Sequence, residues 1–374
     1  MRILYLSHTH PREGEILDNV GGMQRVSQQL IRELDEKKSV TVIKETINAA
    51  GKGQVAAQTA FFLFRQLMEL PYKARETRAD VILFSSMVTA SLAWALQKRI
   101  DIPMVTINHG RDVTLPVDIY QWFVPKVFDA LDGVISVSRA TRDECIKRGM
   151  TPEKGVALPN GLDLKRLGNY PHKQESRNRL QKNFRIPLDQ KFMLLTVGRM
   201  VERKGHEWFV REVMPRLDDR VVYVTVGDGP QFDDIEQAAE ESSYSKRIFL
   251  LGRQPDEVLK QAYAAADLFV MPNIPVDGDM EGFGIVLLEA NMAQTPAVAA
   301  DLEGIRDVIA QGKNGYRVPT RDAGQFAATI TELLDSRLHE FSELSRKYVK
   351  EQFNWNFVAG EYVKYLQSVI KQYA

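Results

Sequence analysis

The chain has 374 residues, more than one hydrophobic core normally serves, so two domains are the default expectation. Its 49 Lys plus Arg balance 49 Asp plus Glu, and 44% of its residues are hydrophobic; this is the profile of a globular protein and not of a general nucleic-acid binder. The single cysteine, Cys145, excludes an intrachain disulfide and a cysteine-based metal cluster, and the six histidines show no ligand spacing such as HExxH.

The first apolar run, Ile3–Leu6, is too short for a signal peptide and reads as a strand. A helical pattern over Met23–Leu34 follows, then candidate strands Val40–Lys44, Val81–Phe84, Met104–Asn108 and Val134–Val137, with another helical pattern over Val88–Lys98. Short buried strands separated by helices predict parallel βαβ units with right-handed crossovers. Between the second and third of these strands, Phe61–Leu70 is apolar and Lys73, Arg75 and Arg78 add positive charge. Such a segment can lie on an anionic membrane, but a buried helix with a solvated end is the more ordinary expectation. No run reaches the roughly 18 apolar residues that span a bilayer, so the expected location is the cytoplasm, with peripheral contact to the inner membrane face as a further option.

The pattern pauses over Leu164–Pro187, which is polar and basic, with Pro171 and Pro187 bracketing a short predicted helix. It restarts at Phe192–Val197 and continues through Val221–Val226, Ile248–Leu251, Leu268–Met271 and Ala297–Ala299. The expected fold class is α/β, with two Rossmann-like, doubly wound domains over residues 1–168 and 169–354. Open parallel sheets bind ligands at the carboxyl ends of their strands, so two such domains are expected to face a shared interdomain cleft.

Four segments at predicted strand ends carry candidate chemistry. Gly21-Gly22 precedes the first helix, where glycines allow close backbone approach and free amides attract phosphate; alone, such a pair is usually a turn. Gly198-Arg199-Met200-Val201-Glu202-Arg203-Lys204-Gly205 follows a strand and puts Arg199 and Lys204 where two cations can neutralise a diphosphate, against the bland reading of a solvated basic loop. Glu281-Gly282-Phe283-Gly284-Ile285-Val286-Leu287-Leu288-Glu289-Ala290 is the most informative segment. Its glycines open a helix near Ile285, and Glu289 lies inside an apolar run where an unpaired carboxylate is costly. Asn108-His109-Gly110 follows the fourth strand; a lone histidine there is more often structural, and spacing does not decide.

With these segments in hand, the chain resembles glycosyltransferase family 4, the retaining group with the GT-B fold. The resemblance runs from Met1 to the last helix and rests on the N-terminal GG, VGRMVERKG, VGDGP, EGFGIVLLEA and the closing Phe353-Asn354-Trp355. It implies transfer of a hexosyl unit from a UDP- or GDP-sugar to a glycan, lipid or small-molecule acceptor, with no cofactor and no metal. It implies that Gly22, Arg199 and Lys204 meet the diphosphate, that His109 contacts the donor sugar near the reaction centre, and that Glu281 holds sugar hydroxyls. Glu289 would take the ribose, the amides of Phe283, Gly284 and Ile285 the sugar and phosphate, and Gly252-Arg253 would flank the nucleobase. Residues 355–374 resemble the terminal helix that returns to the first domain. Asp277-Gly278-Asp279 looks like a metal-binding DxD motif but is read as loop decoration; the loop Asn273–Met280 holding it resembles the longer version of some mannosyltransferases with lipid acceptors.

Rival readings are weaker. An NAD-dependent oxidoreductase needs GxGxxG after its first strand, and neither half has it. A sugar-nucleotide epimerase or phosphorylase on the same domains, or a non-catalytic nucleotide-sugar scaffold, requires product analysis to separate.

Overall fold

The computed structural model describes residues 1–10, 22–48, 54–164, 168–336 and 338–373. Gly21 therefore lies outside the described residues. The chain divides into two compact units, Met1–Gly161 with Trp355–Ala374, and Leu162–Asn354.

Unit 1 is a six-stranded parallel sheet: β1 (Arg2–Ser7), β2 (Thr41–Thr46), β3 (Val81–Phe84), β4 (Met104–Asn108), β5 (Gly133–Ser136) and β6 (Gly155–Ala157), in the order β2-β1-β3-β4-β5-β6. The inner strands are buried on both faces, which is why they read as largely apolar runs. Helices α1 (Gly22–Asp35), α2 (Val55–Glu76), α3 (Met87–Leu96), α4 (Arg111–Thr114), α5 (Asp118–Ala130) and α6 (Arg139–Lys147) connect them. On α1, Val26, Leu30, Ile31 and Leu34 recur at helical spacing and are buried. The terminal helix Trp355–Tyr373 packs on α1, and the amide of Val134 donates to the Tyr365 hydroxyl at 3.1 Å.

Helix α2 departs from the expectation of a buried helix. Phe62, Gln66, Leu70 and Ala74 face inward, but Phe61, Phe64, Met68 and Tyr72 are 60–68% exposed. The sheet covers one side of the helix only, and the chain has placed apolar residues on both.

Unit 2 is a second six-stranded parallel sheet: β7 (Phe192–Val197), β8 (Val221–Val226), β9 (Ile248–Leu250), β10 (Leu268–Met271), β11 (Ala297–Ala300) and β12 (Gly315–Val318), in the order β12-β11-β10-β7-β8-β9. The helix expected between the two prolines spans Lys173–Phe184. Edge strands β6 and β12 add to the five strands expected in each half. In both sheets the winding direction reverses beside the first strand, between β1 and β3 and between β7 and β10. Such switch points open a crevice at the carboxyl edge, and Arg199, Lys204 and Glu281 lie on the two loops of unit 2 that flank it, after β7 and after β10.

Candidate active site

In unit 2, the loop after β7 and the loop after β10 are stitched together. Gly205 has φ +64°, and a Cβ there would sit 2.1 Å from the carbonyl oxygen of Pro272, so only glycine fits. One residue pair further, the Ile274 amide donates to the Arg203 carbonyl at 2.9 Å. This contact brings Lys204, beside Gly205, to the residues that follow β10.

Lys204 and Glu281 are both buried, and Lys204 Nζ lies 2.5 Å from Glu281 Oε2. The same oxygen receives Asn273 Nδ2 at 3.1 Å and faces Arg203 at 3.3 Å. Burial alone would push the Glu281 carboxyl up, but the charges of Lys204 and Arg203 outweigh it and hold the group below the usual carboxylate range. Lys204 is drawn below the ordinary lysine value, first by burial, with Arg203 adding repulsion against the pull of Glu281. The two directions do not mirror one another, because one carboxylate shared by two cations gains more than each cation does. The ionised form of Glu281 is the one the geometry supports. His206, next to this cluster, is buried 3.2 Å from the Tyr223 hydroxyl and is pulled down to about 3 by burial and then by Lys204, so it carries no charge.

Glu281 also fixes backbone: its carbonyl accepts from the Gly304 amide at 3.1 Å, and its own amide donates to the Glu303 carboxylate. After it, Phe283 is buried edge-on to Phe353 at 6.0 Å, and Gly284, at φ +87°, caps the helix Ile285–Met292. The first amides of that helix have no acceptor within it. One turn on, Glu289 is buried and its Oε2 accepts from the Tyr263 hydroxyl at 2.8 Å. Arg199 and Arg253 stand exposed on the loops after β7 and β9, and neither makes an ion pair among the described residues. Of the DxD pair, Asp279 accepts from Arg203 Nε at 3.2 Å and Asp277 is exposed. Among the described residues, no group of three His, Cys, Asp or Glu side chains is arranged to hold a metal ion.

The edge of unit 1 is built differently. His109 is half-buried after β4, and its Nε2 donates to the Ser85 carbonyl after β3 at 3.0 Å, which orients the ring. Asp112 accepts from the His109 amide at 2.8 Å and from the Met87 amide, at the start of α3, at 3.1 Å. His8, after β1, is buried and drawn below its ordinary value by burial, with Asp112 opposing and His109 adding to the shift. Gly22 is the first residue of α1.

The comparisons with known proteins match this architecture unit by unit. Residues 20–166 fit the family described as Glycosyltransferase Family 4, and residues 191–336 the one described as Glycosyl transferases group 1. The chain belongs to glycosyltransferase family 4. As a family 4 glycosyltransferase, it is 28% identical over 269 residues to the GDP-mannose-dependent alpha-(1-6)-phosphatidylinositol monomannoside mannosyltransferase of Mycobacterium tuberculosis, covering 70% of this chain and 68% of that one. Among solved structures, sucrose-phosphate synthase from Thermosynechococcus elongatus aligns with a TM-score of 0.78 at 19% identity over 99% of both chains. Anabaena HepE in complex with UDP-glucose aligns at 0.74 and 19% identity, over 98% of this chain and 100% of that one. The fold of this glycosyltransferase is GT-B.

Sequence reasoning passed over three residues of the cluster. Arg203 lies in the motif beside Lys204, and nothing in its spacing distinguishes it from a solvated neighbour. Asn273 and Glu303 follow the carboxyl ends of β10 and β11, and that position is the signal that would have found them.

Proposed function

We propose that this glycosyltransferase moves a hexosyl unit from a UDP- or GDP-sugar to an acceptor hydroxyl, with retention at the anomeric carbon and without a metal. The observation that carries this reading is the buried Lys204–Glu281 pair at the switch point, flanked by the exposed, unpaired Arg199. A lysine held by a carboxylate at a ligand edge is poised to change partner: the entering diphosphate takes its charge, and Glu281 turns to the sugar hydroxyls. Glu289, buried one turn into the helix, accepts from the ribose in this reading, and Arg253 flanks the base. The mycobacterial relative is named for GDP-mannose, and the Anabaena structure holds UDP-glucose, which supports a nucleotide diphosphate donor of either kind.

In the reaction, the bond from the anomeric carbon to the β-phosphate oxygen breaks and negative charge develops on the leaving diphosphate. In this reading Lys204, Arg199 and the amides of Phe283, Gly284 and Ile285 stabilise it, the kind of preorganised stabilisation that dominates such steps. Glu281 is already committed to two cations and Asn273, which suits a hydroxyl acceptor better than a nucleophile. The acceptor oxygen therefore bonds to the same face, and its proton passes to the departing phosphate oxygen.

The test is transfer in the presence of a chelator, with candidate UDP- and GDP-sugars and an acceptor panel, followed by assignment of the product anomer by NMR. An α product from an α donor under chelation supports the proposal; an inverted product, or activity that returns only with added divalent metal, contradicts it.

A further inference from the structure

The outer face of unit 1 formed by α2, α3 and α5 presents more apolar surface than a solvated face needs. On α2, Phe61, Phe64, Met68 and Tyr72 recur at spacings of three and four and are 60–68% exposed, a continuous stripe on the side turned from the core. Helix α3 packs against α2 and α5, and adds Trp94 at 48% exposure, while α5 adds Trp122 at 64%. Trp94 is braced edge-on by Phe123 at 5.5 Å, and Lys126 Nζ sits 3.0 Å over the Trp122 ring. These are aromatic side chains held on a rigid frame, of the type that settles at the boundary of water and hydrocarbon.

The charge on this face has a sign. From Val55 to Phe64 helix α2 has no charged residue. The remainder of the segment to residue 100 holds Arg65, Lys73, Arg75, Arg78, Lys98 and Arg99 against Glu69, Glu76 and Asp80, and α5 holds Lys126 against Asp118 and Asp129, so seven cations face five carboxylates. Asp80 is occupied by the Arg2 amide at 2.6 Å, and Glu69 is shared by Arg65 and Lys73. Arg75, Arg78 and Lys98 are exposed and make no ion pair among the described residues. We propose that this face docks the protein on the surface of an anionic lipid bilayer, with the stripe entering the headgroup boundary and the cations meeting lipid phosphates. No helix among the described residues is long and apolar enough to cross a membrane, so the contact is one of lying on the surface. A second copy of the chain is a poorer occupant, since it would bring the same cationic excess to the contact.

Flotation of the full chain with vesicles tests this, using phosphatidylcholine alone and phosphatidylcholine with phosphatidylglycerol at 7:3. The protein should float with the anionic vesicles and much less with neutral ones, and raised salt should weaken binding. The double variant Phe61→Ser/Phe64→Ser should lower the bound fraction at least roughly tenfold, and Arg75→Gln/Arg78→Gln about tenfold. All four positions are exposed, so both variants should melt with the wild type, and the arginine pair reads the same face should the serine pair fold poorly. Wild-type protein that stays in the bottom fraction with anionic vesicles overturns the proposal, as do variants that float as well as wild type. A dimer in sedimentation velocity that Phe61→Ser/Phe64→Ser dissolves, without flotation of the wild type, assigns the stripe to a second copy instead.

Discussion

At the carboxyl edge of the second sheet a close backbone approach does the shaping and charges converge on one carboxylate, whereas among the described residues at the edge of the first sheet one carboxylate gathers backbone amides. Gly205 lets two loops touch in unit 2, and the contact delivers Lys204, Arg203 and Asn273 to Glu281. In unit 1 a single carboxylate, Asp112, gathers the amides of His109 and Met87, and a carbonyl holds the His109 ring. The same strand–helix grammar thus yields one edge where cations meet a carboxylate and one that presents an oriented imidazole. The difference lies in loop chemistry and not in the sheets.

The sharpest way to break this contrast is to remove the charge at its centre. Lys204→Ala should lower the transfer rate by about 10²–10³-fold, the cost of deleting one preorganised stabilising group, as read in steady-state kinetics. Gly205→Ala should destabilise unit 2 by about 3 kcal/mol or more, because the Cβ meets backbone that cannot move aside. Gly252→Ala has a similar φ of +64° but open space around it, and should cost only about 1 kcal/mol in denaturant melts. In unit 1, Asp112→Ala frees two amides at once and should cost about 1–2 kcal/mol, with slower transfer if His109 meets the donor.

The pH dependence sharpens the same comparison. The folded Glu281 carboxyl is depressed, so its contribution to stability is fully present above the unfolded value of about 4.3 and is lost as pH falls through the folded value. The melting temperatures of wild type and Glu281→Gln should therefore differ at neutral pH and converge progressively as pH falls below the unfolded value and through the depressed folded one. The smallest effect on stability belongs to Arg199→Ala, which should melt within about 0.5 kcal/mol of wild type, since the side chain is exposed, while weakening nucleotide binding.

Much of this was legible in the chain. The inner strands announce themselves because both faces are buried, so their residues are mostly apolar, with only single threonines such as Thr106, Thr196 and Thr225 inside them. Edge strands β6 and β12, Gly-Val-Ala and Gly-Tyr-Arg-Val, are short and half-buried, so they show no such run. Helix α2 was visible only as Phe61–Leu70, because an apolar exposed face erases the period that marks an amphipathic helix. Lys204 and Glu281 were legible as residues beside glycines at strand ends. Their bond to each other was not, since 77 positions separate them and only the strand order β10-β7-β8 makes their loops neighbours. Asp279 shows the reverse case: a motif with metal-binding spacing whose second carboxylate is paired with Arg203.

The central claim is that the edge of unit 2 holds a nucleotide diphosphate, and equilibrium titration of UDP and GDP into the chelator-treated protein tests it most directly. The account predicts that one nucleotide binds, that Lys204→Ala and Glu289→Ala each weaken it by at least about tenfold, and that both variants keep their fold by circular dichroism. Binding of neither nucleotide, or binding that both substitutions leave unchanged, would contradict it.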